Sequence, residues 1–516
     1  MKILPLGLQT LSEIYDNNAI YVDKTALIYR LVTTGKVYFL SRPRRFGKSL
    51  LVSTLQELFE ANKKLFQGLW IENKWDWSRK YSVIHISFAS LTYEDDNLAT
   101  AIEEELNDIA AAAKLVLTKK GFKAQFRELI RALHHQNQQK VVILIDEYDK
   151  PIIEYLENHT LRQAKKNQKI LKSFYSVLKD LDQSIRFLFI TGVSKFSKVS
   201  IFSDLNQLTD LTLDPHYAGL TGYTESELLH YFDDHLKAAE KRLNFSKTEL
   251  VAKIKVWYDG YSWDGETRVY NPYGTLRFLA TQVFKDYWFA SATPTFLMHQ
   301  MKRFGQFDVE KIVVKSSIFE KYDLDNLAII PLLFQTGYLT IQAVNWEDNT
   351  YTLNYPNKEV KESMYDFLVD ALVPDAHITN MGMTVHDLKQ AFEKGNLVRV
   401  QTILTTLLAD LPFQTFEKSS EGLYHGLIHI VFNYLGLAMQ SEAHSSRGRA
   451  DVVVQTLTYI YIFEFKINKS AEEAFQQIID NEYADKYRAF EKPILAIGVN
   501  FNTERRKMDV WKQDFL

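Results

Sequence analysis

The sequence predicts an α/β protein. Its N-terminal part reads as a doubly wound parallel sheet around a phosphate-binding turn, followed by a helical lid and middle region and a second, C-terminal α/β domain. Three observations carry this. A short apolar run, Val37 to Leu40, leads through RPRRFGKS into LLVSTLQELF, whose apolar residues recur at helical spacing. VVILIDEYDK, residues 141–150, sets five apolar residues before Asp146 and Glu147, as expected of a central strand buried on both faces. Strand-like and helix-like segments then alternate as far as residue 196, which is the pattern of βαβ units.

The strand–turn–helix ending in Gly47, Lys48 and Ser49 has the context of a P-loop. There, backbone amides wrap the phosphates of ATP, the Lys ammonium reaches the β- and γ-phosphates, and the Ser hydroxyl ligates Mg²⁺. The pattern GxxxxGK[ST] asks for glycine where this chain has Arg42. Arg42 suits that position only if the backbone there avoids positive φ. Arg44 and Arg45 would offset phosphate charge, and Phe46 is counted with them in the nucleotide-binding loop. Asp146 is expected to hold the Mg²⁺ water shell and Glu147 to orient or deprotonate the attacking water, with Asp149 as the alternative carboxylate. IRFLFITGVSKF, residues 185–196, reads as a strand ending in Thr191 and Ser194. Ser194 is expected to read the γ-phosphate, and an ordinary loop serine is the alternative. Lys48, Asp146, Glu147 and Ser194 all fall at carboxyl ends of strands, where such sheets bind ligands.

With 516 residues and 46% hydrophobic content, the chain is too long for one ordinary core, so two or three domains are expected. A net charge of -3 leaves nucleic-acid binding to a local basic patch. Cys is absent, which excludes disulfides, thiolate nucleophiles and Cys-ligated zinc. No leader pattern and no long apolar span is read, so a cytoplasmic protein without a membrane segment is expected.

In order along the chain, TALIYRLVTTG predicts a helix ended by Gly35. YSVIHISFAS alternates as a second strand, and DNLATAIEEELNDIAAAAKLVL is helical in composition. A polar helical stretch reaches about residue 180. From residue 221 the pattern turns helical, with Thr224 and Glu227 as a capping box. Residues 257–274 are rich in Gly and aromatics, and Arg268 among them is expected to pack the loop against the lid rather than reach a nucleotide. A short β patch interrupts the helices near YLTIQAVNWEDNTYTLNY. Pro412, Ser419, Ser420 and Gly422 suggest a boundary, giving domains 1–220, 221–415 and 416–516.

In the last domain an apolar helix over 422–439 precedes two strands and the helix EEAFQQIIDNEYADKY. Asp451 begins the first strand, and Glu464 and Lys466 end the second. Residues two apart share a strand face, so Glu464 and Lys466 point one way and Phe465 the other. Two carboxylates on adjacent strands suit Mg²⁺ or Mn²⁺, and a neighbouring Lys can position water against a phosphodiester. YIYIFEFKI would bury both charges without compensation unless a metal or phosphate lies there; an internal Glu464–Lys466 ion pair is the alternative. Glu421 is a candidate third carboxylate and Gln477 a candidate for orienting water. His425 and His429 stand four apart with Gly426 between them, so they lack the Glu of HExxH and read as ordinary helix residues.

Together, RPRRFGKSLLVSTL, VVILIDEYDKPI, FITGVSKFSKVSIFSDLNQLTDLTLD, WYDGY, YNPYG and GRADVVV…YIFEFK resemble a bacterial family. Its members are AAA-ATPase-like proteins that carry a C-terminal domain of the PD-(D/E)XK nuclease superfamily. The resemblance covers nearly the whole chain. In that family the first P-loop glycine is likewise replaced. The resemblance implies ATPase roles for Lys48, Ser49, Asp146 and Glu147. It also implies a restriction-endonuclease-like domain in which Asp451, Glu464 and Lys466 match the nuclease motif and Gln477 the helix after it. The expected cofactors are ATP and Mg²⁺ or Mn²⁺, and the expected partner is nucleic acid, DNA ahead of RNA, with a homo-oligomer allowed. A nucleotide-dependent switch whose last domain binds nucleic acid or protein without cutting is the alternative.

Overall fold

The computed structural model describes residues 1–93, 97–157, 159–195, 201–202, 205, 207–289, 297, 301, 309–320, 324, 328–372, 381–409, 438–444, 449–502, 507–508 and 511–516. Two compact units divide the chain, residues 1–297 with 310–361, and residues 298–309 with 362–516. Residues 221–297 and 310–361 thus fall in the first unit, and residues 298–309 and 362–409 in the second.

The first unit is built on β1 (Val37–Ser41), β2 (Val83–Ser87), β3 (Val141–Asp146), β4 (Ile185–Gly192) and β5 (Thr209–Asp210). They lie in the order β2-β3-β4-β1-β5, with every pairing parallel. Strands β1 and β3 are buried along their whole length, and β2 alternates at the edge. This matches their sequences, continuous apolar runs for the central strands and an alternating one for the edge. Helices Thr25–Thr34 and Lys48–Phe59 cover one side through a core that includes Leu31, Leu55, Leu58, Leu144 and Phe189. Helices Leu98–Ala112, Phe122–Asn137 and Leu161–Asp180 form the other layer, with the rings of Phe126 and Phe174 stacked at 4.4 Å. Because β4 lies between β3 and β1, the loops that leave these three strands start side by side.

The same unit continues into helices Glu225–Tyr231, Asp233–Leu243, Lys247–Tyr258 and Pro272–Thr281, which share a core including Leu228, Phe232, Leu236, Leu250, Ile254 and Phe278. Thr224 and Glu227 form the expected capping box, and Ser246 with Glu249 forms another. The expected β patch is the hairpin of β7 (Thr340–Asn345) and β8 (Thr350–Asn354), which β6 (Ile312–Lys315) completes in the order β6-β8-β7. Arg268 donates to the carbonyls of Ile341 and Gln342 at 2.7 and 2.6 Å, so it ties its loop to that hairpin and not to a helical lid.

In the second unit a mixed sheet contains β9 (Ala438–His444), β10 (Arg449–Gln455), β11 (Ile460–Ile467), β12 (Ile494–Asn502), β13 (Lys507–Met508) and β14 (Lys512–Phe515). The order is β13-β12-β11-β10-β9, and β14 also pairs with β12. Among the described residues, only the β11–β12 pairing of this sheet is parallel. Helix Ala471–Asp480 makes that crossover and lies so close to β12 that a Cβ at Gly498 would collide with the backbone of Ala471 and Phe475. The expected boundary near residue 415, Glu421, His425, His429 and the expected helix as far as residue 437 lie outside the described residues, and its last two positions, 438 and 439, open β9 instead. Among the described residues, no helix is long and apolar enough to cross a membrane.

Candidate functional site

The turn after β1 has the features of an anion cradle. Gly47 adopts φ 82° and leads into helix Lys48–Phe59, whose N-terminus has no side-chain cap, leaving first-turn amides without an intrahelical acceptor. Gly47, Arg44 and Arg45 are exposed beside it, and Ser49 is half-buried at the second helical position. Positive φ falls on Arg45, at 67°, and on Gly47; Arg42 is not among the positive-φ residues, so the loop does not need a glycine there. Lys48 is only 6% exposed, and its ammonium donates to the carbonyls of Arg42 and Pro43, both at 2.9 Å. Burial pulls the Lys48 ammonium below its ordinary pKa, while Asp146, Glu147 and Asp149 pull it back up.

These carboxylates come from the end of β3. Asp146 is buried and accepts from the Glu147 amide at 3.0 Å. Glu147 sits in the left-handed region at φ 50°, and burial, reinforced by Asp146 and Asp149 and opposed by Lys48, raises its carboxyl above the usual range. Asp149 is 1% exposed and joins the ends of two strands. It accepts from the Val193 amide at 3.1 Å, and from the Ser194 amide and hydroxyl at 2.6 Å each. Burial raises Asp149, and those donors hold it down. Tyr148 adds a bond from its hydroxyl to the Ser194 carbonyl at 2.8 Å.

The C-terminal unit gathers a second set. Val452 pairs with Phe463 across β10 and β11, and one further step of that antiparallel register sets Asp451 opposite Glu464. Cross-strand partners share a face, so both carboxylates lie on one side of the sheet. Glu464 is 2% exposed, with Oε2 lacking a hydrogen-bond partner among the described residues, and Oε1 accepts from Lys466 Nζ at 3.2 Å. Its carboxyl is pushed up to about 7, by burial first and then by Asp451, with Lys466 acting the other way. Asp451 Oδ2 accepts from the Phe465 amide at 2.8 Å, and Phe465 itself turns to the opposite, buried face. Among the described residues, no group of three or more His, Asp or Glu is gathered as a metal centre. The hard oxygen donors of the pair, and the orphaned Oε2 above all, nonetheless fit a divalent cation.

Residues 5–202 match a family described as predicted AAA-ATPase, and residues 419–511 match the PD-(D/E)XK nuclease superfamily. Over 520 aligned residues the chain is 38% identical to the uncharacterized protein in vnfD 5'region of Azotobacter chroococcum mcd 1, covering 98% of each. The chain belongs to the AAA-ATPase-like family with a PD-(D/E)XK nuclease-superfamily domain. In its AAA-ATPase-like domain, the tertiary structure brings together Lys48, Asp146 and Glu147. It gives two expected loop residues other surroundings. The Ser194 hydroxyl is bound to Asp149 rather than open to a phosphate. The ring of Phe46 is fully buried, with centroids 4.7 Å from Tyr261 and 5.6 Å from Trp263, so that only its backbone faces the loop. In the PD-(D/E)XK domain Asp451, Glu464 and Lys466 converge. Gln477 donates to the Tyr483 hydroxyl at 3.4 Å, and among the described residues it makes no hydrogen bond to the other three. Sequence reasoning gave Asp149 only a reserve role. The signal it had was an acid inside IDEYDK, and the missing information was that β4 ends beside β3.

Proposed function

We propose that this protein binds and hydrolyses ATP in its N-terminal domain and cleaves DNA with the help of Mg²⁺ in its C-terminal domain. The observation that carries the nuclease part is the Asp451–Glu464 pairing across β10 and β11, with Lys466 3.2 Å from a Glu464 carboxylate that is 98% out of solvent contact and half unpartnered. A carboxylate buried like that of Glu464, with Asp451 beside it, is costly without a cation, which supports a metal-binding role for Asp451 and Glu464. The metal would supply charge neutralisation and polarisation of the scissile phosphate. Lys466 would hold the attacking water and offset charge developing on the phosphoryl oxygens, and Gln477 would have to leave Tyr483 to assist.

For ATP, the uncapped amides at Gly47 and Lys48, with Arg44 and Arg45 beside them, would bind the phosphates. Lys48 would exchange its two carbonyl partners for phosphate oxygens. Ser49 and Asp146 would hold Mg²⁺, Glu147 would take the proton from the water that adds to the γ-phosphorus as its bond to the bridging oxygen breaks and ADP leaves, and Ser194 would keep Asp149 in place. The raised pKa of Glu147 suits a base, since proton transfer is most efficient when the pKa approaches the working pH.

The Glu464–Lys466 ion pair favours a second reading, in which the pair neutralises itself and the domain binds nucleic acid without cutting. Incubating the purified protein with single-stranded, double-stranded and structured DNA and RNA separates the two, with and without Mg²⁺, Mn²⁺ and ATP. Metal-dependent cleavage lost in Asp451→Asn is the expected result. Salt-dependent binding without cleavage under every condition would establish the second reading instead.

A further inference from the structure

Each residue from Arg42 to Phe46 meets a partner from residues 261–337 of the same unit. The fully buried Arg42 guanidinium lies 3.9 Å from the Trp263 ring centroid and donates to the Ser41 and Thr212 carbonyls. Pro43 faces Gly337, where an added Cβ would come within 2.8 Å of the proline ring. The Arg44 carbonyl accepts from Trp288 Nε1 at 3.0 Å. Arg45 lies 5.1 Å over the Tyr273 ring, and Phe46 packs edge-on against Tyr261. Trp288 is itself buried and anchored. Its amide donates to Glu359 Oε1, and its ring lies 5.5 Å from Tyr338.

A phosphate loop normally draws its shape from glycines. This one has Arg at the first glycine position and a non-glycine residue, Arg45, at φ 67°. A residue in that region persists only where its surroundings hold it. We propose that the aromatic clasp around Trp288 and Trp263 holds the loop in the shape that puts Arg45 in the left-handed region. The nucleotide affinity of the loop then depends on clasp docking, and nucleotide occupancy is felt in turn by residues 261–288. This rests on the ATP-binding reading above. Trp288 is a positioning residue in this scheme, acting through the Arg44 carbonyl rather than on nucleotide. Coupling between two sites is reciprocal, so whatever factor the clasp adds to nucleotide binding, nucleotide adds to clasp docking.

The test uses the full chain, with ADP as the probe so that turnover does not intervene. Trp288→Phe keeps a ring in the clasp and removes the N–H. It is expected to weaken ADP binding about tenfold by calorimetry while the unfolding midpoint of the ligand-free protein stays close to wild type. In wild type, saturating ADP is expected to slow amide exchange at residues 261–264 and 286–289 as well as in the loop, and in Trp288→Phe only in the loop. If Trp288→Phe does not fold, Tyr273→Ala and the wild-type exchange experiment decide. Unchanged ADP affinity in the variants, or slowing confined to the loop in wild type, overturns the clasp alone. Wild type that binds no ADP overturns the ATP reading itself.

Discussion

Lys48 and Glu147 are the residues on which the proposed ATPase chemistry would turn, Lys48 buried and Glu147 in the left-handed region. The Lys48 ammonium is buried against two backbone carbonyls, a weaker partnership than a phosphate offers. Lys48→Ala should therefore weaken ATP binding by about 1.5–3 kcal/mol, roughly 10- to 100-fold in Kd by calorimetry. Equal affinity in the variant and wild type would sink the P-loop assignment. Glu147 combines left-handed backbone with a desolvated carboxyl, the kind of local strain that a packed surrounding sustains at working sites. Glu147→Gln keeps shape and hydrogen bonding but removes the base, so ATP should still bind while turnover drops by about 10²-fold or more. Turnover that stays at the wild-type rate would exonerate Glu147. Asp149 is a poor replacement as base, because three donors from Val193 and Ser194 already occupy it.

At the scale of elements, the start of the helix Lys358–Leu372 is tied to the segment at Trp288 through Glu359. Glu359 has no solvent exposure and one unpartnered oxygen, and burial pushes its carboxyl from 4.5 up to about 8, against the amides of Trp288, Phe289 and Tyr287. A carboxyl whose folded pKa exceeds its unfolded pKa stabilises the protein fully below the unfolded value and loses that stabilisation as pH rises through the folded one. Between about pH 5 and 8 its contribution should fall by up to about 1.4 kcal/mol per pH unit. Thermal unfolding across pH 5 to 9 should thus show wild type losing stability faster than Glu359→Gln, whose side chain stays neutral. Parallel curves for the two proteins would show that Glu359 is ionised in the fold.

For the molecule as a whole, the two units carry separate cores and separate candidate sites, so damage to one chemistry should leave the other standing. Asp451→Asn removes a charge but keeps an acceptor for the Phe465 amide, which Asp451→Ala would leave without it. Cleavage should drop by about 10²-fold or more, since loss of a ligand charge forfeits several kcal/mol of metal-assisted stabilisation. ATP turnover and the first unit's unfolding should stay as in wild type. Cleavage that persists in Asp451→Asn would point to a contaminant or to another active site, and a parallel loss of ATP turnover would contradict the independence of the units.

Local sequence determined the strands of the N-terminal sheet, the turn after β1 and the shared face of Glu464 and Lys466, because each depends on periodicity over a few residues. Short apolar runs bounded by turn residues suit buried strands, and a period of two fixes which residues share a face. The capping box at Thr224 was legible for the same reason. Only the tertiary structure decided what surrounds those residues. The ring of Phe46 is buried against Tyr261 and Trp263, and the Arg44 carbonyl meets Trp288, partners more than two hundred residues away along the chain that no local pattern links to the loop. Gln477 lies on the expected helix and Ser194 two residues past the end of β4, and rotamer and packing turn Ser194 to Asp149 and Gln477 to Tyr483. Spacing along a chain fixes which face a side chain leaves from. The atom it finally touches is set by whichever donor or acceptor the folded neighbours leave unsatisfied.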